Sequence, residues 1–293
     1  MSTITAAQVQ ELRERTGAGM MECKRALQSV NGNIEAAIEA MRKSGQAKAD
    51  KKEGRVAAEG IIVVKNSNDN KMAVVIEINC ETDFVARDES FKELASKIAE
   101  KALENKTTDL AALIELPLGN DMTVEQARRA LVAKIGENIQ IRRLSLVTTD
   151  GMVASYVHGG RIGVLVELTG GEPQLGKDLA MHIAANNPIV VNREDVPKDS
   201  VEKEKEIFSA QAQSSGKPAA IIEKMVEGRI NKFLDEVSLV GQPFVKDPSV
   251  TVAQLLQQHN AKVVKFIRFA VGEGIEKQSE DFVEAVMAQV RGS

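Results

Sequence analysis

The stretch IIVVKNSNDNKMAVVIEIN, residues 61–79, decides the fold of this chain. Its two apolar runs are rich in β-branched residues, and Asn and Asp fill the turn between them, which is the pattern of an antiparallel β-hairpin. Further along, Phe91, Leu94 and Ile98 recur at helical spacing. The sequence therefore predicts a hairpin followed by a helix that buries one face.

The same plan recurs about ninety residues later, in MVASYVHGGRIGVLVELT and the helical pattern after it. Aligning Glu77 with Glu167 gives an offset of 90, whereas aligning Leu94 with Leu179 gives an offset of 85. The first copy therefore carries five extra residues between its second strand and its helix, within ETDFVARDE at 81–89. Since the second copy folds without them, we expect these residues to serve function.

The rest of the chain completes an α+β fold in five segments. We expect an N-terminal three-helix module with a linker at 1–55, core subdomains at 56–148 and 149–198 that form a duplicated hairpin-plus-helix α/β core, an inserted antiparallel helical hairpin (coiled coil) at 199–240, and a small C-terminal module at 241–293. Four basic residues and two glycines predict a solvated linker at 44–55. A closing helix is expected around Phe282 and Val286.

Composition excludes several classes of protein. A hydrophobic content of 43% with 27% charged residues is typical of a folded globular chain, and the net charge of -4 argues against a direct nucleic-acid binder. The apolar runs are far shorter than the roughly 20 residues that span a bilayer, and the first residues lack the pattern of a leader peptide. We therefore expect a cytoplasmic protein that does not enter a membrane.

No motif predicts an enzyme. The stretch SGKP at 215–218 lacks the first glycine and the hydroxyl of a phosphate-binding loop, and His158, His182 and His259 fall in different elements. Cys23 and Cys80 have no CxxC spacing, so neither a disulfide nor a zinc site is indicated. We expect no catalytic residue, no metal site and no cofactor.

The residues Thr82, Asp83, Phe84 and Val85 are the centre of the longer loop. Thr82 and Asp83 can cap the helix that follows and thereby orient the loop. Spacing alone leaves two interpretations of Phe84 equally open, because an apolar side chain at this place can fold back into the core or stand out as a binding group.

Two long segments resemble the signature sequences of the elongation factor Ts family: EINCETDFVAR, residues 77–87, and LRERTGAGMMECKRAL, residues 12–27. Similar stretches such as LVAKIGENIQIRR, YVHGGRIGVLV and FIRFAVGEGIE extend the resemblance over nearly the whole chain. The resemblance implies a guanine-nucleotide exchange factor of protein biosynthesis, which binds elongation factor Tu and promotes release of its GDP.

The resemblance also implies roles for particular residues. In the family the TDFV segment intrudes near the Mg²⁺ and phosphate site of the partner, which maps onto Thr82 to Val85 with Phe84 as the wedge. Contacts of the family's N-terminal helices with the partner's nucleotide domain map onto the region that contains Val9, Leu12, Met20 and Met21. The HGG turn at His158 would contact another domain of the partner. The helical hairpin matches the family's projecting coiled coil, and copies of the chain could self-associate through it.

Two other functions stay open from the sequence. The chain could be an interaction protein of another pathway, whose three-helix module binds ubiquitin-like or ribosomal partners; it would not affect GDP release. It could instead be an enzyme that uses Cys80 with a histidine brought near by folding. Full activity of a Cys80→Ala variant would exclude the second function.

Overall fold

A computed structural model describes residues 4–119, 122–213 and 218–276 of the chain. It is a mixed α+β structure, with helices at its N-terminal end and several small antiparallel sheets. The closing helix expected around Phe282 lies outside these residues. Among the helices described, none is both long and apolar enough to cross a membrane.

Three helices begin the described chain: α1, Ala6–Thr16; α2, Met20–Ser29; α3, Ile34–Asp50. Thr5 caps α1 in a reciprocal capping box with Gln8, and Gly17 ends that helix at a left-handed φ of 66°. Asn33 caps α3 by accepting a hydrogen bond from the backbone of Ala36 at 3.0 Å. The core of this module consists of Val9, Leu12, Cys23, Leu27 and Ala37.

The prediction of a linker at 44–55 is wrong for its first seven residues, because helix α3 continues through Asp50. Most of the side chains in GQAKAD favour a helix, and one glycine lowers that preference by only about 1 kcal/mol. Packing against the rest of the chain also stabilises this part of α3. A Cβ atom at Gly45 would lie 3.3 Å from the Cβ atom of Ala133, so the missing side chain lets α3 approach the later helix that carries Ala133. Ala49 is buried in the core of the first sheet.

The first sheet unit spans residues 59–148. Its elements are β1, Glu59–Asn66; β2, Met72–Cys80; α4, Asp83–Arg87; α5, Glu89–Glu104; α6, Leu110–Glu115; β3, Pro117–Gly119; β4, Met122–Thr123; α7, Val124–Ile135; and β5, Ile139–Thr148. The three long strands form an antiparallel sheet in the order β1-β2-β5. Helix α5 covers this sheet with fully buried Phe91 and Ile98, as the helical spacing predicts.

The second sheet unit spans residues 152–270. Its elements are β6, Met152–His158; β7, Ile162–Thr169; α8, Pro173–Asn186; α9, Lys198–Gln213; α10, Ala219–Val237; β8, Pro243–Phe244; β9, Asp247–Thr251; α11, Val252–Gln258; and β10, Lys262–Ala270. The long strands again form an antiparallel sheet, in the order β10-β7-β6. Strand β10 thus joins the sheet of the second unit.

The two units share more than the hairpin and helix read from the sequence. In each, a short strand pair leads into a helix with a capping box, made by Thr123 with Gln126 in α7 and by Thr251 with Gln254 in α11. In each, the strand after that helix pairs with the second strand of the hairpin. The second unit differs by the pair α9 and α10, which pack on each other before its short strands.

Side chains from both sheets pack together in one apolar cluster: Ile62, Ala73, Val75, Val147, Val153 and Leu165. The backbone of Ile62 also donates a hydrogen bond to the carbonyl of Gly160 at 2.7 Å. The turn between β6 and β7 is therefore held against strand β1.

Candidate functional site

The segment between β2 and α5 is longer than its counterpart in the second unit. Eight residues, 81–88, separate these elements, whereas three residues, 170–172, separate β7 from α8. The five-residue excess predicted from the sequence is confirmed. Most of the longer segment forms the short helix α4, and the expected loop is therefore partly helical.

Helix α4 presents Phe84 to solvent. The side chain of Phe84 is 80% exposed, while its neighbours Val85 and Ala86 are buried in the core of the first sheet. Successive residues of a helix point about 100° apart, so anchoring Val85 and Ala86 turns Phe84 away from the core. The interpretation in which Phe84 folds back as a core residue is wrong.

Capping residues hold both ends of this segment. The hydroxyl of Thr82 accepts a hydrogen bond from the backbone of Val85 at 3.4 Å and so caps α4. Asp88 ends α4 and caps α5, accepting from the backbones of Ser90 and Phe91. Hydrogen bonds, first from the Ser90 hydroxyl and then from Phe91, hold the pKa of Asp88 below its usual value. Asp83 pairs with Arg87 at 2.8 Å across one turn of α4; Arg87 is exposed and Asp83 is half-buried.

A second turn of the chain meets the same segment. The carboxylate of Glu137 accepts hydrogen bonds from the backbone N–H and the hydroxyl of Thr82, at 3.0 and 2.8 Å. The carboxylate of Glu81 accepts from the backbone N–H of Asn138 at 2.6 Å. Sequence reasoning missed Glu137, since no pattern links residues that lie 55 positions apart; the only signal is an acid directly after the helix-ending Gly136.

Cys80 precedes the segment and is buried. Its thiol donates a hydrogen bond to the carbonyl of Thr82 at 3.2 Å. Burial raises the pKa of Cys80 to about 12, and the nearby carboxylates of Glu137 and Glu59 act in the same direction. Since the thiolate is the nucleophile, this cysteine is unreactive at neutral pH. Within the described residues, no group of three or more His, Cys, Asp and Glu side chains is placed to hold a metal ion.

The N-terminal residues expected to bind a partner divide into two kinds. Met20 and Met21 are 58% and 66% exposed, whereas Val9 and Leu12 belong to the buried core of the module. Val9 also lines a groove of about 710 Å³ between α1 and α2, together with both methionines; Leu12 lies outside its lining. The two methionines and this groove form an apolar surface suited to a protein partner.

His158 is the last residue of β6, directly before the turn that leads into β7. It is exposed, and its Nδ1 lies 3.1 Å from the hydroxyl of Tyr156. Arg161 of the same turn pairs with Glu59 at 2.7 Å, and Glu59 lies opposite Cys80 in the first sheet. The turn after His158 and the segment that begins at Glu81 therefore both lie at the same end of the first sheet.

The chain is similar to known proteins over nearly its whole length. Residues 81–273 match the family described as elongation factor TS. Elongation factor Ts of Legionella pneumophila strain Paris is 60% identical over 291 residues, which cover 99% of this chain and all of the relative. The same factor of Methylococcus capsulatus is 59% identical over 292 residues, with 99% and 100% coverage. That of Coxiella burnetii strain Dugway is 55% identical over 295 residues, with both chains fully covered. The chain thus belongs to the elongation factor Ts family.

Proposed function

We propose that Thr82–Val85, the wedge segment, disturbs the nucleotide site of elongation factor Tu when the two proteins bind, and that Phe84 is the group that intrudes. The exposure of Phe84 on a helix whose other face is buried carries this proposal. Removing an exposed aromatic side chain from water is favourable in free energy, so such a side chain is suited to bind in a pocket of a partner. The intrusion is directed to the region of the Mg²⁺ ion and the phosphates.

As a member of the elongation factor Ts family, the chain is a nucleotide-exchange factor for elongation factor Tu in translation elongation and is not an enzyme. Exchange requires a difference in affinity, because a factor that bound the partner equally well with and without GDP would shift no equilibrium. The coupling is reciprocal: the factor weakens the binding of GDP, and GDP weakens the binding of the factor.

One aromatic side chain is too weak to supply this coupling alone. Burying a Phe contributes about 1.5 to 3 kcal/mol, which is roughly one to two decades in an equilibrium constant. Further contacts must supply the affinity that the wedge segment converts into disruption. We assign this role to the surface around Met20, Met21 and the groove that Val9 lines, with Leu12 supporting it from the core, and to the exposed turn at His158.

We also propose a location and an organisation for the chain. It acts in the cytoplasm, where its partner binds nucleotide. The two sheet units derive from one duplicated plan, with the hairpin of α9 and α10 inserted into the second. Five segments, 1–55, 56–148, 149–198, 199–240 and 241–293, describe its organisation. The polar hairpin is the surface through which copies of the chain self-associate.

The release of labelled GDP from elongation factor Tu tests the wedge. Phe84→Ala removes an exposed side chain, so we expect normal folding by circular dichroism and a release rate at least severalfold below that of the unaltered factor. Val264→Ala is the matched control, because Val264 is also an exposed apolar residue, at 47% exposure. An unchanged release rate with Phe84→Ala would contradict the proposal.

A further inference from the structure

Helix α4 cannot hold its own shape. It has five residues, whereas isolated helices shorter than about 12 to 15 residues are marginal in water. Its orientation must therefore come from the groups that contact it. Val85 and Ala86 anchor one face in the core, and Thr82 fixes its first turn.

The carboxylate of Glu137 fixes the side chain and the backbone of Thr82 at once. Its two oxygens accept separately, one from the Thr82 hydroxyl at 2.8 Å and the other from the Thr82 backbone N–H at 3.0 Å. An ionised carboxylate only accepts hydrogen bonds, so the hydroxyl proton must point toward Glu137. The lone pairs of that hydroxyl are left for the N–H of Val85, which is the capping bond of α4.

The turn that carries Glu137 is itself held in place. Gly136 ends α7 at a left-handed φ of 86°, and its N–H donates to Val132. The next residue but one, Asn138, is 1% exposed and donates its amide to the carbonyls of Glu53 and Arg55 at 3.1 and 2.7 Å. Because this turn is held in place, Glu137 can fix the position of Thr82.

The two segments also exchange hydrogen bonds in both directions. Glu137 accepts from the backbone of Thr82, and Glu81 accepts from the backbone of Asn138. Charge-assisted bonds of this kind are shorter and about twice as strong as neutral ones. This crossed arrangement fixes the separation of the two segments as well as their angle.

The second unit lacks both halves of this arrangement. Its turn between α11 and β10 reads His-Asn-Ala at 259–261 and carries no carboxylate, and its shorter loop at 170–172 carries no Phe. The acid thus occurs in the copy that has the wedge segment and is missing from the copy that does not.

From these contacts we propose that Glu137 is a positioning residue for exchange: it holds Thr82, and through it α4, so that Phe84 stands in the orientation that enters the partner. This inference rests on the proposed function of the wedge segment. Glu137 acts through Thr82 and need not touch the partner itself.

The test measures the rate of GDP release from elongation factor Tu against the concentration of factor, using the full-length chain. Glu137→Ala removes both hydrogen bonds to Thr82. We expect it to lower the maximal rate roughly tenfold, which corresponds to about 1.4 kcal/mol, with little change in the concentration that gives half the maximal rate. Glu137→Gln keeps one acceptor and should give an intermediate rate. Glu115→Ala removes an exposed Glu of the same unit and should leave the rate unchanged.

The double variant Glu137→Ala/Phe84→Ala separates positioning from direct contact. If Glu137 acts through the wedge, the double variant releases GDP no more slowly than Phe84→Ala alone, because the two changes are not independent. Multiplied effects in the double variant, or a full rate with Glu137→Ala, would overturn the positioning role. A full rate with Phe84→Ala would instead overturn the wedge itself, and the positioning role with it.

Discussion

The carboxylate of Glu77 accepts a hydrogen bond from the backbone N–H of Gly272 at 2.7 Å, although 195 residues separate them in the chain. Glu77 is fully buried and also accepts from Arg142 and Arg143. Arg143 in turn donates to the carbonyl of Ala270 at 3.0 Å. One buried acid on the central strand of the first sheet therefore ties the end of β10 to that sheet.

Replacing Glu77 by Gln should lower the free energy of unfolding by about 3 kcal/mol, because it removes the buried negative charge that pairs with both Arg142 and Arg143. Urea unfolding followed by circular dichroism measures the change. Glu167→Gln is the matched control, since Glu167 is the counterpart of Glu77 in the second unit and has one cationic partner, Lys265, at 3.4 Å. Equal losses from both variants would refute the special role of Glu77.

His182 should make the stability of the protein depend on pH. It is fully buried, its Nδ1 accepts from the backbone of Val245 at 3.1 Å, and its Nε2 lies 2.9 Å from the Gln242 side chain. Burial lowers the pKa of His182, and the bond to Gln242 opposes this. Because Nδ1 accepts a hydrogen bond, the proton of the neutral ring lies on Nε2.

Because the folded pKa lies below the unfolded value of about 6.5, the unfolded chain binds more protons between the two values. The free energy of unfolding should then fall as the pH drops from about 7 through that window, by at most about 1.4 kcal/mol per pH unit. Urea titrations at several pH values measure the slope. His182→Gln should show a shallower slope, and an identical slope in the variant would exclude His182 as its source.

Both cysteines should resist thiol reagents in the folded protein. Cys23 and Cys80 are buried, and a pKa of about 12 leaves only roughly one Cys80 thiol in ten thousand ionised at pH 8. Ellman's reagent should react with two thiols only after denaturation. Cys80→Ala should keep its full effect on GDP release; loss of that effect in a folded variant would show that the thiol contributes to exchange.

Deleting residues 199–236, with a short Gly-Ser link, should leave the core folded. The chain leaves and re-enters at one place, because the N–H of Ile189 donates to the carbonyl of Val237 and that of Leu239 donates to Val190, both at 2.9 Å. We expect weaker self-association by sedimentation equilibrium and a largely retained rate of GDP release. Complete loss of exchange in a well-folded deletion would show that the hairpin is required.

Local signals made much of this fold predictable. The hairpin at 61–79, the helix that ends at Gly136 and the cap at Thr5 all follow from residues close in sequence, and the structure has each of them. The five-residue excess before α5 is also local, because it follows from aligning the two copies. That comparison singled out Phe84, whose exposure then needed the structure to decide.

Contacts between residues far apart in the chain could not be predicted from the sequence. The contact of Thr82 with Glu137 depends on how α7 turns into β5 beside β2, and no local pattern encodes it. Simple alternation along β10 would place Val264 on the same face of the sheet as Phe266. A bulge between Val263 and Lys265 interrupts that alternation, and Val264 is exposed. The extension of α3 through Asp50 likewise reflects packing of Gly45 and Ala49 on the first unit.

The placement of the third strands has a consequence for the order of folding during synthesis. The first sheet is complete once β5 has left the ribosome, and residues 81–138 separate that strand from its partner β2. In the second sheet residues 170–261 intervene, so β7 must wait with one edge open while α9 and α10 are made. Closing a longer loop costs more entropy. The wedge segment and Glu137 are therefore synthesised, and the first sheet that carries them is closed, before the second sheet can be completed.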